Sequence, residues 1–456
     1  MAENNNELQA GKISRGEVIV MAVAGAAPVM CVGGSMGTFL AQTGTGIALA
    51  VAIATILLVI VGLSYGSLAE KCNSCGGTYA YAASTLGKTP GLWTLFVYYG
   101  VMATTAACPP VIFAIYLNAL TGLPIIVGWA IFAVVMVLLT TFGTELSTKA
   151  LVIVFIAEMA AFIIPGIRCI MLSVNGFDFS VSMTNAFAPS TEFGMSGILL
   201  AALTWVWSFV GYEAPAFMGE EVKGGAKAVK FAIPVSAILC GVIYVIGCWL
   251  WTATMTPEQM AQLAGNGDAL SAYCAMLGFG SGSVIVSLGV MLAALACGLA
   301  FYQMMPRFLY DQARKGIISK KVAKLSKRGV PTAGMIIYLV ISFFTTMYAG
   351  YGYGGPVAFG APIFDGVNDW FVIMAVCATS AYALVCLGHI KEAAHDTSFM
   401  KGIVQGKILP ALAILVIAYI IIFTIGPKYL IVTGAIYLVS LILALAFKNK
   451  KGIDMT

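Results

Sequence analysis

The sequence predicts an all-α membrane protein of twelve transmembrane helices. Three observations point there. Of its 456 residues 60% are hydrophobic and only 9% charged, the mean hydropathy is +0.96, and apolar runs of about 18–25 residues recur along the whole length. So little polar surface cannot clothe a soluble globule of this size.

The apolar runs place spans near 17-41, 45-68, 91-119, 124-143, 148-172, 196-219, 231-254, 282-305, 332-349, 369-389, 407-426 and 429-447. The basic residues test this count, because Lys and Arg flanking membrane spans accumulate on the cytoplasmic side. Of the 24 Lys and Arg residues, only Arg168 and Lys428 fall on the outer side of the twelve-span layout. The clusters Arg314-Lys315, Lys320-Lys321 and Lys448 to Lys451 all fall inside, together with both termini. A different span count would scramble this partition. The expectation is a multi-pass plasma-membrane protein with both termini cytoplasmic, and the formal net charge of +5 reflects topology rather than nucleic-acid binding. Residues 1-16 form a polar N-terminal tail and 448-456 a basic C-terminal one. No small-residue cleavage site follows the first apolar run, so no cleaved signal peptide is expected.

Loops are short relative to the spans. The longest outer ones, near Val174 to Gly194 and Thr256 to Gly280, carry acids but no Lys or Arg; the longest inner one runs from Pro306 to Pro331. Most of the eleven cysteines stand singly inside spans, as Cys31, Cys108, Cys240, Cys297 and Cys377 do. There Cys packs as a small apolar residue, and no disulfide is expected. Cys72 and Cys75 form a C-x-x-C spacing on the inner loop after the second span, but only His389 and His395 could complete a zinc site. Neither a metal nor a cofactor is expected.

Two spans are interrupted. The sixth carries Gly211, Glu213 and Pro215 at its middle, and the first carries Gly25-Ala-Ala-Pro28. Pro removes a backbone donor and Gly tolerates unusual dihedrals, so unwinding here frees N–H and C=O groups where there is no bulk water. Half-helix N-termini attract a carboxylate, while freed carbonyls attract an ammonium. Matching breaks at positions one and six of a chain with five spans per half point to a solute site between two inverted repeats.

These residues resemble a known family. Trp207-Ser-Phe-Val-Gly-Tyr-Glu213, followed by Gly219-Glu-Glu-Val-Lys223, is similar to the sixth-helix signature of the amino acid-polyamine-organocation transporters, and in form looks most like that of their basic amino acid exchangers. Cys75-Gly-Gly-Thr-Tyr79 resembles their motif after the second helix, and Arg307 to Gly316, with Val330-Pro331, the loop after the eighth. The resemblance covers roughly residues 12 to 450. It implies a LeuT-type fold with two five-helix inverted repeats plus two peripheral helices: a core over 17-389, with repeats about 17-172 and 196-389, and a peripheral pair over 407-447. It also implies roles. The backbone of Gly25, Ala26 and Ala27 would meet the substrate carboxylate, the unwound Ser208, Phe209 and Gly211 its amine, and Trp207 would stack over the substrate.

Glu158 is the second costly acid, about ten residues or ~15 Å into the fifth span. A charge at that depth costs on the order of 2.5–3.5 kcal/mol, which favours a neutral acid and suits proton coupling; Glu213 is the other candidate. The resemblance implies that sodium coupling would need hydroxyl ligands in the eighth span, and Ala293 to Ala300 offers none, so protons are the expected coupling ion. Glu220 and Glu221, near Lys223, Lys227 and Lys230, read as an ion-pair cluster at a cytoplasmic gate.

The function expected is secondary transport of an amino acid by alternating access, proton-coupled or by exchange. The alternatives are a polyamine or other organic amine, whose charge Glu158 and Glu213 could match, and a channel or sensor on the same scaffold. An enzyme is not expected, since no nucleophile and base cluster. The expected partners are a small solute and the lipid bilayer, with no nucleic acid, and the chain is expected to work as a monomer or homodimer.

Overall fold

The computed structural model describes residues 7–173, 176–190, 192–350, 367–423, 426–450 and 452–455. Residues 1–6 of the N-terminal tail, Val174 at the start of an outer loop, and Lys451 of the basic C-terminal cluster lie outside them. Among the described residues eleven helices are long and apolar enough to cross a membrane, and the shorter apolar helix Ile125–Thr141 makes the twelfth. In order the spans are Arg15–Thr43, Ile47–Ala69, Lys88–Thr121, Ile125–Thr141, Thr144–Leu172, Gly194–Phe217, Gly225–Thr252, Gly280–Arg314, Thr332–Ala349, Val367–Glu392, Phe399–Phe423 and Pro427–Lys448. They are called spans 1 to 12 below.

Local chemistry sets several ends. Ser14 caps span 1 in a reciprocal box: its hydroxyl accepts from the Glu17 amide at 3.2 Å while the Glu17 carboxylate accepts from the Ser14 amide at 2.8 Å. Thr256 and Gln259 make the same box on the helix Pro257–Leu263, and the Asp178 carboxylate accepts from the Val181 amide to start Phe179–Phe187. The outer stretches expected as loops are therefore partly helical, with Ala269–Met276 a third short helix there.

Two boundaries expected on the inner side differ from the expectation. Span 7 begins at Gly225 rather than 231, and span 8 continues through Pro306 to Arg314 instead of ending at 305. Hydropathy fails here because Arg307, Asp311 and Gln312 are buried, at 3%, 0% and 0% exposure. Their polarity is met by partners, so the helix keeps going where an apolar scale sees a loop.

Packing shows the two halves. Spans 2 and 7, the second of each half, lie against each other, as do spans 3 and 8. Span 5 packs on span 8 and span 10 on span 3; span 1 packs on span 7 and span 6 on span 2. Each contact is matched by the one obtained on exchanging the halves, as inverted repeats require. Spans 11 and 12 stand outside this core: 17% of the most apolar window of span 12 is buried, against 83% for span 1.

Candidate functional site

Span 1 is broken at a single residue. Its first half ends at Ala26, Ala27 takes a left-handed φ of 49°, and Pro28 starts the second half at a position where its missing N–H costs little. Ala27 has the one positive φ among the described non-glycine residues, and its amide still donates back to Val23 and Ala24. Span 6 breaks over a longer stretch. Its first half ends at Trp205, Val206–Phe209 is a 3₁₀ turn, and a four-residue helix, Ala214–Phe217, resumes beyond Gly211, whose φ is 115°.

The two breaks touch. A side-chain carbon on Gly211 would come within 2.7 Å of the Gly25 carbonyl carbon, which no real Cβ tolerates. Glycine is required here both for its dihedral and for the approach of two backbones. Tyr244 of span 7 joins the breaks: its hydroxyl stands within hydrogen-bond reach of the Ala26 and Ser208 carbonyls. The Cys31 thiol also donates to Ala26 O at 3.4 Å, and the Cys297 thiol to Gly25 O at 3.2 Å. The freed carbonyls are thus already held by one phenol and two thiols. Sequence reasoning took both cysteines as packing residues and did not single out Tyr244.

Beside this crossing lies a narrow, mostly apolar cavity with room for about one water molecule. Of the expected site residues Gly25, Ala26, Trp207 and Ser208 line it, together with Thr105, Cys108, Cys297, Phe301, Phe371 and Met374. The buried Ser208 hydroxyl has the Cys31 thiol beside it and no stronger hydrogen-bond partner among the described residues. Trp207 stacks face to face on Phe371 of span 10, with centroids 3.9 Å apart and planes at 6°. Ala27, Phe209 and Gly211 sit behind the wall, Phe209 with its ring 5.0 Å from that of Tyr244.

Glu158 and Glu213 are both fully buried, and neither lines the cavity. The Glu213 carboxylate accepts from the Tyr98 hydroxyl at 2.9 Å, the Tyr382 hydroxyl at 2.8 Å and the Gly211 amide at 2.9 Å. It braces the unwound segment against spans 3 and 10. Neither oxygen of Glu158 has a hydrogen-bond partner among the described residues.

At the end of the bundle where spans 6 and 8 meet, Glu220 and Glu221 find other partners than the lysines expected. Glu221 forms a buried fork with Arg307, Nη2 to Oε1 at 3.0 Å, and Arg307 also donates to Gln303 O. Glu220 accepts from Arg314 at 2.6 and 3.0 Å and from the Cys75 amide at 3.0 Å. Asp311 accepts from Arg314, Ser74 and Tyr79 and pairs with Lys315. Lys230 pairs instead with Glu70. The span 8 extension supplies the cations because its guanidinium groups can fork onto carboxylates inside the protein, which the exposed lysine stems do not do.

Cys75, Glu220 and Asp311 offer ligand atoms within 4.8 Å of one another, a set a divalent ion could use. The Arg314 guanidinium already stands among them, 3.6 Å from the Cys75 sulfur. Burial pushes the Cys75 thiol well above its ordinary value, so it is poorly suited to act as a thiolate ligand.

Known proteins give this geometry a setting. The sequence model of the family described as amino acid permease matches residues 17–447. The methylthioribose transporter of Bacillus subtilis (strain 168) is 25% identical over 309 residues, 62% of this chain and 64% of its own. Cationic amino acid transporter 3, mitochondrial, of Arabidopsis thaliana is 23% identical over 65% of this chain, which spans 50% of that relative's length. The branched-chain amino acid permease BcaP of Bacillus subtilis (strain 168) is 24% identical, over 75% of this chain and 74% of its own. In fold, the chain is similar to the crystal structure of MhsT in complex with L-phenylalanine, with a TM-score of 0.61 and 16% identity over 96% of this chain and 99% of that one.

Proposed function

The chain belongs to the amino acid permease family, within the amino acid-polyamine-organocation transporters and with their LeuT-type fold, and from that premise we propose that it is a secondary transporter of small neutral amino acids driven by protons. It would sit in the plasma membrane with both termini cytoplasmic, as its basic residues imply. The observation that carries the reading is the crossing of the two broken spans beside a narrow apolar cavity lined by the buried Ser208. A zwitterion would meet the backbone around Gly25 and Ala26 at one end and the Ser208 segment at the other, displacing the weak thiol donors. The Trp207–Phe371 stack closes the cavity on one side and has to part for a substrate to enter.

The lining favours an amino acid with an apolar side chain over a polyamine, because it holds no acid: Glu158 and Glu213 both lie outside it. The similarity to a branched-chain amino acid permease supports the same preference. A proton on Glu158 would remove the cost of a buried unpaired carboxylate, and its release would restore that cost, which couples protonation to the state of the site. The Gly25 carbonyl takes the Cys297 thiol where a sodium-coupled site would present a hydroxyl ligand, and this supports a proton as coupling ion.

Uptake into proteoliposomes tests the reading. Leucine, valine and isoleucine should accumulate when the outside is acid, whereas arginine and putrescine should not. The Glu158→Gln variant should keep exchange but lose the response to a proton gradient. Saturable putrescine uptake with no response to leucine, or a wild-type pH profile in Glu158→Gln, would sink the corresponding half of the proposal.

A further inference from the structure

Two cysteines, one from a span and one from a stretch expected as a loop, face each other outside the substrate site. Cys169 lies in span 5 three residues before its end at Leu172, and Cys274 lies on the short helix Ala269–Met276 between spans 7 and 8. Their sulfurs are 3.6 Å apart, and both side chains are buried. They are 105 residues apart in sequence, so only the fold brings them together. Both sit at the end of the bundle opposite to the Arg307 and Arg314 network, since span 5 runs outward from Thr144 and span 8 runs back inward to Arg314.

The surroundings show what a bond would do. The segment between spans 7 and 8 covers the far half of span 1: the Gly265 amide donates to Gly37 O at 2.8 Å, and Gly37 leaves no room for a Cβ beneath Asn266. The same segment is held to span 8, where the Ser283 hydroxyl donates to Ser271 O at 2.6 Å and the Ser271 and Ser287 hydroxyls meet at 3.2 Å. At Cys274 its neighbour is span 5, the span that carries Glu158, and the contact there is the two sulfurs. We propose that Cys169 and Cys274 are a site of reversible disulfide formation, oxidised by a small peroxide, that ties this cap to span 5.

The chemistry balances with hydrogen peroxide as oxidant. One thiolate attacks a peroxide oxygen, the O–O bond breaks, and the sulfur becomes a sulfenic acid as water leaves. The second sulfur then attacks the sulfenic sulfur, the S–S bond forms, the S–O bond breaks, and a second water leaves with the remaining thiol proton. Two thiols and one peroxide become one disulfide and two waters. A thiol reductant reverses the bond by exchange. An oxidant little larger than water can reach buried sulfurs through fluctuations of the cap, where a bulky disulfide donor cannot.

Non-reducing peptide mapping tests the site without reference to transport. Full-length protein in detergent is treated with hydrogen peroxide, its free thiols are alkylated, and the digest is read by mass spectrometry. The expected product is one peptide pair joining Cys169 to Cys274, lighter by two hydrogens and released by dithiothreitol. Amide exchange over residues 256–279 should slow on oxidation and recover on reduction, and C169A and C274A should each abolish both changes. Separate alkylation of both cysteines after peroxide, or oxidation of each to its own sulfinic acid, overturns the site. A linked pair with no slowing of exchange, or slowing that persists in C169A, overturns the tie.

Discussion

Glu158 and Glu213 make the same demand in sequence, an acid deep in an apolar span, and the structure meets it in opposite ways. Around Glu213 the fold supplies three donors from three segments: the Gly211 amide, Tyr98 of span 3 and Tyr382 of span 10. Around Glu158 it supplies none among the described residues, although that side chain is equally buried. A fully matched acid is part of a joint, because its partners and its own backbone hold one another in place. An unmatched one is tied to nothing, which is why Glu158 is the acid proposed to carry the proton. Position in the membrane does not separate the two roles; hydrogen bonding does.

The contrast can be broken most directly at Glu213. Glu213→Ala leaves three buried donors unmatched, at about 1–3 kcal/mol each, so a loss of several kcal/mol is expected, seen as a large fall in melting temperature in detergent and in poor yield of monodisperse protein. An unchanged melting temperature would remove Glu213 from the joint. Smaller losses, about 1–2 kcal/mol each, are expected for Tyr98→Phe and Tyr382→Phe. Both hydroxyls donate to the same oxygen, Oε1, so the double variant should deviate from the sum of the singles; additive losses would mean that the two hydroxyls act independently. The smallest effect on stability is expected for Glu158→Gln, under about 1 kcal/mol, since there is no partner to lose. If its melting temperature falls as far as that of Glu213→Ala, Glu158 has a structural role and the contrast collapses.

Much of the fold was legible in the sequence because it rests on signals carried by single segments. A run of apolar residues crosses a membrane wherever it sits, and Gly and Pro interrupt a helix locally, so the twelve spans and both breaks could be read directly. Span 8 shows where this fails. Its last turns carry Arg307, Asp311 and Arg314 and look like a loop until Glu220, Glu221 and Cys75 arrive from other segments to pair with them. The candidate site divides in the same way. Gly25, Ala26, Trp207 and Ser208 stand on the interrupted spans and were legible. Tyr244, Cys31, Cys297 and Phe371 were not, because an isolated Tyr, Cys or Phe in an apolar helix carries no mark of what it will face.

The sequence by itself determined the class, the number of spans and the places where helices must break, since these follow from hydropathy and backbone dihedrals of contiguous residues. Only the tertiary structure decided which buried acid is matched, which cations pair with Glu220 and Glu221, and that Cys169 faces Cys274. Each of these depends on the partner supplied by a segment tens to hundreds of residues away, and in a low-dielectric interior that partner sets the free energy of a polar group.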